Sequence, residues 1–233
     1  MAGWIRAALE FASFYSYRVP DSSPSYALCS PAPSPAAIRL ALVDAIIRHT
    51  GSVSEGRRFF EAVKSVPLEI EVPERLAVVR FFSKRLKPEK PAAGKTASVL
   101  ESTGSREYCL PAGELVVWVQ GEERIAQAFR WLRRLGTTDS LVSCRVDTGK
   151  PDLSVCLKAV ETLPPLSTLA GRPVYTLHEL APGATFDHVN PYASPSRRGR
   201  PFLKRLYVLP LVREQAGENW VIYRREPFPP QGG

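Results

Sequence analysis

Methionine occurs only at the first position and asparagine only twice in 233 residues. Scarcity of that kind matches chains depleted in thermolabile side chains. The four cysteines, Cys29, Cys109, Cys144 and Cys156, stand far apart, with no C-x-x-C pair and no histidine companion. That spacing argues against zinc and predicts reduced, partly buried thiols. No run of about 18 uncharged apolar residues exists, so no membrane-spanning helix is expected. The opening MAGWIRAALEF has neither a basic start nor an apolar stretch ending in a small-residue cleavage site, which predicts a soluble, unexported, cytoplasmic chain with no membrane partner. Also missing are G-x-x-x-x-G-K-[ST], G-x-S-x-G and H-E-x-x-H. His49 falls at a helix end, where a cation suits the dipole. His178 and His188 have no nucleophile or ligand beside them. The expected catalytic set, metal and cofactor are therefore none, although a metal-free ribonuclease could assemble Tyr, Lys or His from distant positions.

What the chain does have is positive charge: 31 basic against 23 acidic residues, a formal net charge of +8. Arginine supplies 23 of the 31. Its planar fork suits phosphate and stacks on bases, which favours nucleic acid over a membrane or an acidic small molecule. A GC-rich genome would produce the same excess without functional meaning. The length allows one large domain or two small ones, and the 44% apolar share fits a folded core.

Periodicity places the elements. In WIRAALEFASFYSYR, Ile5, Ala7, Leu9 and Phe11 alternate with Arg6, Ala8 and Glu10, as in a half-buried strand. SYALCSPAPSPAAIRLALVDAII then leads to Ser34 as N-cap and Pro35 at the first helical position, with Ile38, Leu42, Ala45 and Ile46 at helical spacing and Gly51 as the stop. An amphipathic piece at 54–65 precedes LEIEV and RLAVVRFFSKRL, both strand-like. The segment 87–107 is too polar and too rich in Pro, Gly, Ser and Thr for the core, and reads as a long excursion or mobile hairpin. ELVVWVQG reads as a buried strand, EERIAQAFRWLRRLG as a helix stopped at Gly136, and SLVSCRV as a strand. The order is βαββαβ, which predicts an α+β protein with a ferredoxin-like domain at 1–146. Residues 147–233 are proline-rich, with strand candidates at 155–160, 173–178, 203–212 and 218–224, and read as a smaller, mainly β half.

Candidate contacts follow from charge and aromatic placement. Between Asp187 and Glu214, Arg197, Arg198, Arg200, Lys204, Arg205 and Arg213 occur without one acid, a block able to track a phosphate backbone. A second group comprises Arg80, Lys84, Arg85, Lys87, Lys90 and Lys95, preceding Arg106. Phe14, Tyr15 and Tyr17 beside Arg18 could stack bases, although alternation puts Tyr15 and Tyr17 on the face of Phe11, so that only part of the group can be exposed. The helix N-terminus at Ser34, with Arg39 nearby, could seat a phosphate or a 5′ end. A capped structural helix explains the same residues.

Three segments together resemble the CRISPR-associated Cas-five family of the RAMP superfamily. They are the aromatic first strand with PSYALCSPAPSPAAIRLALVDAII, SREYCLPAGELVVWV, and LRRLGTTDSLVSC, spanning roughly 4–146. The resemblance implies a ferredoxin-like (RRM-like) domain that holds the 5′ handle of CRISPR RNA at one end of a type I Cascade-type surveillance complex. The implied partners are that RNA, a backbone subunit reached by a thumb hairpin at 84–107, the large subunit and, indirectly, target DNA. Carried over by position, Arg18, Ser34 and Arg39 would form the handle seat, and Gly136 to Ser140 would close the sheet edge near the RNA. The glycine-rich loop expected of RAMP proteins is reduced to Gly199 among arginines. Two other readings remain: a precursor-RNA endoribonuclease using His178 or His188 as general base, and a structural subunit that binds only protein.

Overall fold

The computed structural model describes residues 3–23, 25–88, 99–136, 140–190 and 200–230. The chain begins with β1 (Gly3–Phe11) and three two-residue strands, β2 (Tyr17–Arg18), β3 (Tyr26–Ala27) and β4 (Cys29–Ser30). Helix α1 (Pro35–Thr50) starts as its sequence predicts, with the Ser34 hydroxyl accepting from the Ala37 N–H at 3.1 Å. It stops at Gly51, whose φ of 66° lies in the left-handed region and whose N–H bonds the Ile47 carbonyl. Helix α2 (Val53–Val63) packs on α1 at Gly56, where an added Cβ would stand 2.2 Å from Ile47 Cγ1. Strand β5 (Leu68–Glu71) leads into the long hairpin of β6 (Arg75–Pro88) and β7 (Val99–Ala112), followed by β8 (Leu115–Gly121), α3 (Glu123–Trp131) and β9 (Val142–Gly149).

The first sheet has the order β5-β8-β1-β9 and is antiparallel throughout. Its core face meets α1 and α3, and Ile5, Ala7, Leu9, Ile38, Leu42, Ile46, Val117 and Phe129 all lie buried there. Burying each large apolar side chain contributes about 1.5–3 kcal/mol. The opposite face is covered as well: Ala8, Val116, Trp118 and Cys156 form a second cluster against Trp4. Ala8 is therefore core on a face where alternation predicts solvent.

Helix α3 ends earlier than its sequence suggests. Leu132 is already extended, the Leu135 N–H bonds the Ser140 carbonyl, and the Val142 N–H bonds the Arg133 carbonyl. This extended return buries Leu132 and Leu135 completely enough that continued helix is not needed.

The excursion is a hairpin, one of the two forms expected for it, and its strands are regular. Pairing runs without interruption from Arg75↔Ala112 to Pro88↔Val99. The polar composition of 99–103 reflects a strand that leaves the core, since a protruding ladder satisfies its backbone without needing an apolar face. Residues 89–98 lie outside the described residues.

After a 3-10 turn at Leu153–Val155 come β10 (Lys158–Val160), α4 (Leu166–Leu169), β11 (Val174–Leu180), α5 (Phe186–Val189), β12 (Phe202–Val208), β13 (Leu211–Ala216) and β14 (Trp220–Arg225). They form a three-stranded sheet, β10-β12-β11, and complete a five-stranded one, β13-β14-β6-β7-β3. Strand β14 pairs with β6 from Trp220↔Val79 to Arg224↔Arg75. Among the described residues no helix is long and apolar enough to cross a membrane.

Candidate nucleic-acid interface

The segment between β1 and α1 runs along the hairpin and gathers the candidate residues. Tyr15 and Cys109 exchange backbone hydrogen bonds at 2.9 and 2.7 Å, which fixes residues 14–16 beside β7. Successive side chains then diverge. Tyr15 is buried and donates its hydroxyl to the Pro31 carbonyl at 2.5 Å, so it is not a stacking surface. Burial holds its phenol far above the ordinary range. Tyr17 is half-buried and donates to the Leu135 carbonyl at 2.9 Å, its ring lying over Gly136. Gly136, at φ 91°, has no room for a Cβ beneath that ring. Phe14 alone of the three faces outward, 46% exposed, 5.6 Å from Tyr108 and 6.3 Å from Phe81 between ring centroids.

Arg39 requires a correction. It is 7% exposed and donates from Nε to the Val63 carbonyl at 3.2 Å and from a terminal nitrogen to the Val66 carbonyl at 2.7 Å. The guanidinium closes the C-terminal end of α2 instead of facing an open phosphate seat. Burial lowers its pKa, opposed by Glu179 and Tyr207. Ser34 is occupied as the cap, and the approach through Pro31, Ala32 and Pro33 is buried under Tyr15. The rigid proline run therefore serves packing.

Other cations stay outside. Arg18 is exposed and bonds Ser22, while Lys204 on β12 pairs with Asp21 in the same loop. Arg200 is exposed at the approach to β12. Arg197, Arg198 and Gly199 lie outside the described residues, as does the side chain of Arg85. Lys84 pairs with Glu101 at 2.8 Å across the hairpin. Arg106 is half-buried opposite Phe81 and its side chain, among the described residues, has no hydrogen bond or ion pair. The adjacent Glu107 points to the other face, where it accepts from Arg80 at 3.0 Å and from the Cys29 N–H at 3.0 Å.

The structure thus brings Arg18 and Lys204 to one loop, through Ser22 and Asp21, and Phe14 and Arg106 to one cavity, while Arg200 is exposed apart from both groups of contacts. Ser34, Arg39, Tyr15 and Tyr17 belong to the packing beneath. Sequence reasoning missed Phe81, Tyr108 and Tyr26. Tyr26 is 40% exposed under Arg80, whose guanidinium carbon lies 4.8 Å from the ring centroid. The alternation of RLAVVRFF and REYCL already implied one outward aromatic on each strand of the hairpin, but not that Phe14 would join them.

Of the histidines, His188 accepts from the Thr185 N–H at 3.3 Å within a capping box. His49 stacks on Trp131 at 3.6 Å between centroids. His178 pairs in register with Lys204 and lies 5.4 Å from the Phe202 ring. Burial and Lys204 lower its pKa while Asp21 opposes them. Among the described residues no three His, Cys, Asp or Glu side chains group as a metal site.

Taken together, these features define an α+β protein whose hairpin and β11–β12 sheet carry outward arginines and aromatic rings. No family model matches the sequence. A curated relative, CRISPR-associated protein Cas5 from Archaeoglobus fulgidus, is 36% identical over 225 residues, covering 93% of this chain and 96% of that protein. The chain belongs to the CRISPR-associated Cas5 family. Among solved structures, a CRISPR protein from Archaeoglobus fulgidus superposes with a TM-score of 0.41 at 12% identity, covering 97% of this chain and 92% of that one. A chain of a CRISPR RNA-guided surveillance complex gives 0.44 at 14% identity, covering 97% and 91%.

Proposed function

We propose that this protein is a non-catalytic RNA-binding and assembly subunit that holds the 5′ handle of CRISPR RNA and caps one end of a type I surveillance complex of the Cascade kind. The observation that carries the reading is the contrast among cations. Most arginines pair with carboxylates, whereas Arg18, Arg106 and Arg200 have no carboxylate partner among the described residues, and Arg106 lines the same cavity as Phe14. Guanidinium groups without internal acids are the ones free to displace counterions from phosphate. The β5-β8-β1-β9 order, antiparallel throughout, supports reading the first half as a ferredoxin-like domain, with 147–233 as a smaller β region added to it. The β6–β7 hairpin supports the thumb reading, reaching toward a backbone subunit; contact with a large subunit and, through the RNA, with target DNA completes the proposal.

The test is retention of labelled repeat RNA by the purified protein across a salt series. Replacing Arg18, Arg106 and Arg200 together with alanine is expected to weaken binding at least tenfold and to reduce the logarithmic salt slope by about 2, at roughly 0.7 per single-strand phosphate contact. An unchanged slope would remove these residues from the interface.

A second reading, cleavage of precursor RNA, rests on one observation. His178, its pKa lowered, lies in register with Lys204, pairing a neutral imidazole at pH 7 with a cation. Incubation with repeat RNA in chelator separates the two: shortened products that vanish in His178→Ala favour cleavage, and retention of full-length RNA favours binding alone.

A further inference from the structure

The outer face of the five-stranded sheet is apolar where solvent is expected. Trp220 lies beside Val79 and Val79 beside Tyr108, while Ile222, Ala77 and Leu110 form the next row. At the end of this face the segment before α1 closes a corner. Phe81 and Tyr108 meet edge to face at 5.7 Å, and Phe14 leans on Tyr108 at 5.6 Å. Beside them opens a cavity of about 170 Å3 whose lining includes Phe14, Ser16, Arg106 and Tyr108. Pockets for drug-sized molecules run to about 300–1,000 Å3, so this one is scaled to a single small ring system.

Three features decide its chemistry. Phe14 keeps 46% of its surface exposed, although a neighbouring position, Tyr15, is fully packed. Arg106 shares the face with Phe81 and Tyr108, and the only acid adjacent to it in sequence is turned to the opposite face and already engaged. A guanidinium with no carboxylate partner among the described residues, half-buried on a face that carries aromatic rings, complements a planar group that carries acceptors and lies next to negative charge.

We propose that this corner seats one unstacked nucleobase, its ring on Phe14 and its acceptor edge on the Arg106 fork. The proposal rests on the RNA-binding reading above and goes further, making Arg106 a specificity-determining residue. Guanine is the preferred occupant, because its O6 and N7 present two adjacent acceptors that match the fork, whereas adenine offers a donor beside N7 and the pyrimidines lack this paired edge.

The experiment measures anisotropy of the full-length protein with fluorescent 12-nucleotide oligouridylates, unmodified or carrying one central G, A or C. Wild type is expected to bind the G-containing strand at least fivefold more tightly than the others. Arg106→Lys, which keeps the charge but loses the fork, is expected to abolish that preference by weakening the G-containing strand about fivefold or more while the other strands change by less than about threefold. Phe14→Ala is expected to weaken every strand at least fivefold, as loss of one stacked base does. Both positions are partly exposed, and melting curves establish that the variants remain folded. If wild type binds RNA but shows no base preference, or if both variants bind as wild type does, the base seat is wrong and the broader RNA reading survives. If wild type retains no RNA, both fall. A Phe14→Ala variant that binds RNA normally but fails to join a protein subunit would reassign the corner to protein docking and overturn the proposal.

Discussion

Arg39 illustrates how one buried cation divides structural from binding roles. Its two charge-assisted hydrogen bonds to the Val63 and Val66 carbonyls contribute roughly 1.5–3 kcal/mol each. Arg39→Met leaves both carbonyls without that donor and is expected to cost about 3 kcal/mol, a fall of roughly 6–12 °C in melting temperature for a chain of this size. RNA affinity measured well below the new midpoint should be unchanged. A lost affinity in a stably folded variant would restore Arg39 to the binding surface. His178 makes a pH-dependent prediction. Its folded pKa lies below the ordinary value, so the unfolded chain binds more protons as pH falls through about 6.5. The stabilisation is complete above that value and is lost as pH drops toward the folded pKa. His178→Gln should flatten the melting temperature between about pH 5 and 7, read by calorimetry across a buffer series. Thiols follow the same logic of burial. Cys144 and Cys156 are pushed up to about 12, chiefly by desolvation, so iodoacetamide at pH 8 should modify the native chain slowly and all four cysteines once urea is added.

At the scale of elements, the β6–β7 hairpin separates a packed base from an exposed tip. Leu76, Val78 and Cys109 are buried at the base, whereas Phe82, Leu86 and Val99 toward the tip are 75%, 69% and 58% exposed. Removing 84–103 and joining Ser83 to Gly104 through a short turn should therefore change the melting temperature by no more than about 3 °C, since little core is lost. The same deletion is expected to prevent co-purification with a backbone subunit of the complex; an intact assembly would count against the thumb reading. The hairpin also shows what local sequence carries. RLAVVRFF announced a strand by its composition, and the caps at Ser34 and Gly51 announced both ends of α1. The polar stretch 99–104 announced nothing, because a ladder that leaves the core has no apolar period to display. Leu132 and Leu135 misled in the opposite direction: their helical spacing continues past Trp131, but the chain turns back toward β9 and buries both by a different route.

At the scale of the molecule, the first and second halves of the chain share one sheet. Strand β6 hydrogen-bonds β14 along one side and β7 along the other, and Leu157 bonds the Ile70 carbonyl at 2.8 Å. Arg172 adds a tie at the C-terminal end, donating to the Pro227 carbonyl at 3.0 Å beneath Phe228. A fragment ending at Gly149 would expose the β6 edge and the apolar rows beside it, a template for intermolecular pairing. It is expected to aggregate on expression, while the full chain melts in one cooperative transition; a monomeric, folded fragment would refute this coupling. The sequence by itself determined the α+β character, the capped first helix, the buried first strand and an arginine-rich surface suited to nucleic acid, because propensity, period and charge are local properties. Only the tertiary structure decided that Arg39 faces inward, that Tyr15 is packed and Phe14 is free, and that Arg106 shares a face with Phe81 and Tyr108 with no acid paired to it among the described residues. Those outcomes depend on which distant strand pairs alongside each segment, and the choice between the two sides of an extended chain is made by its neighbours.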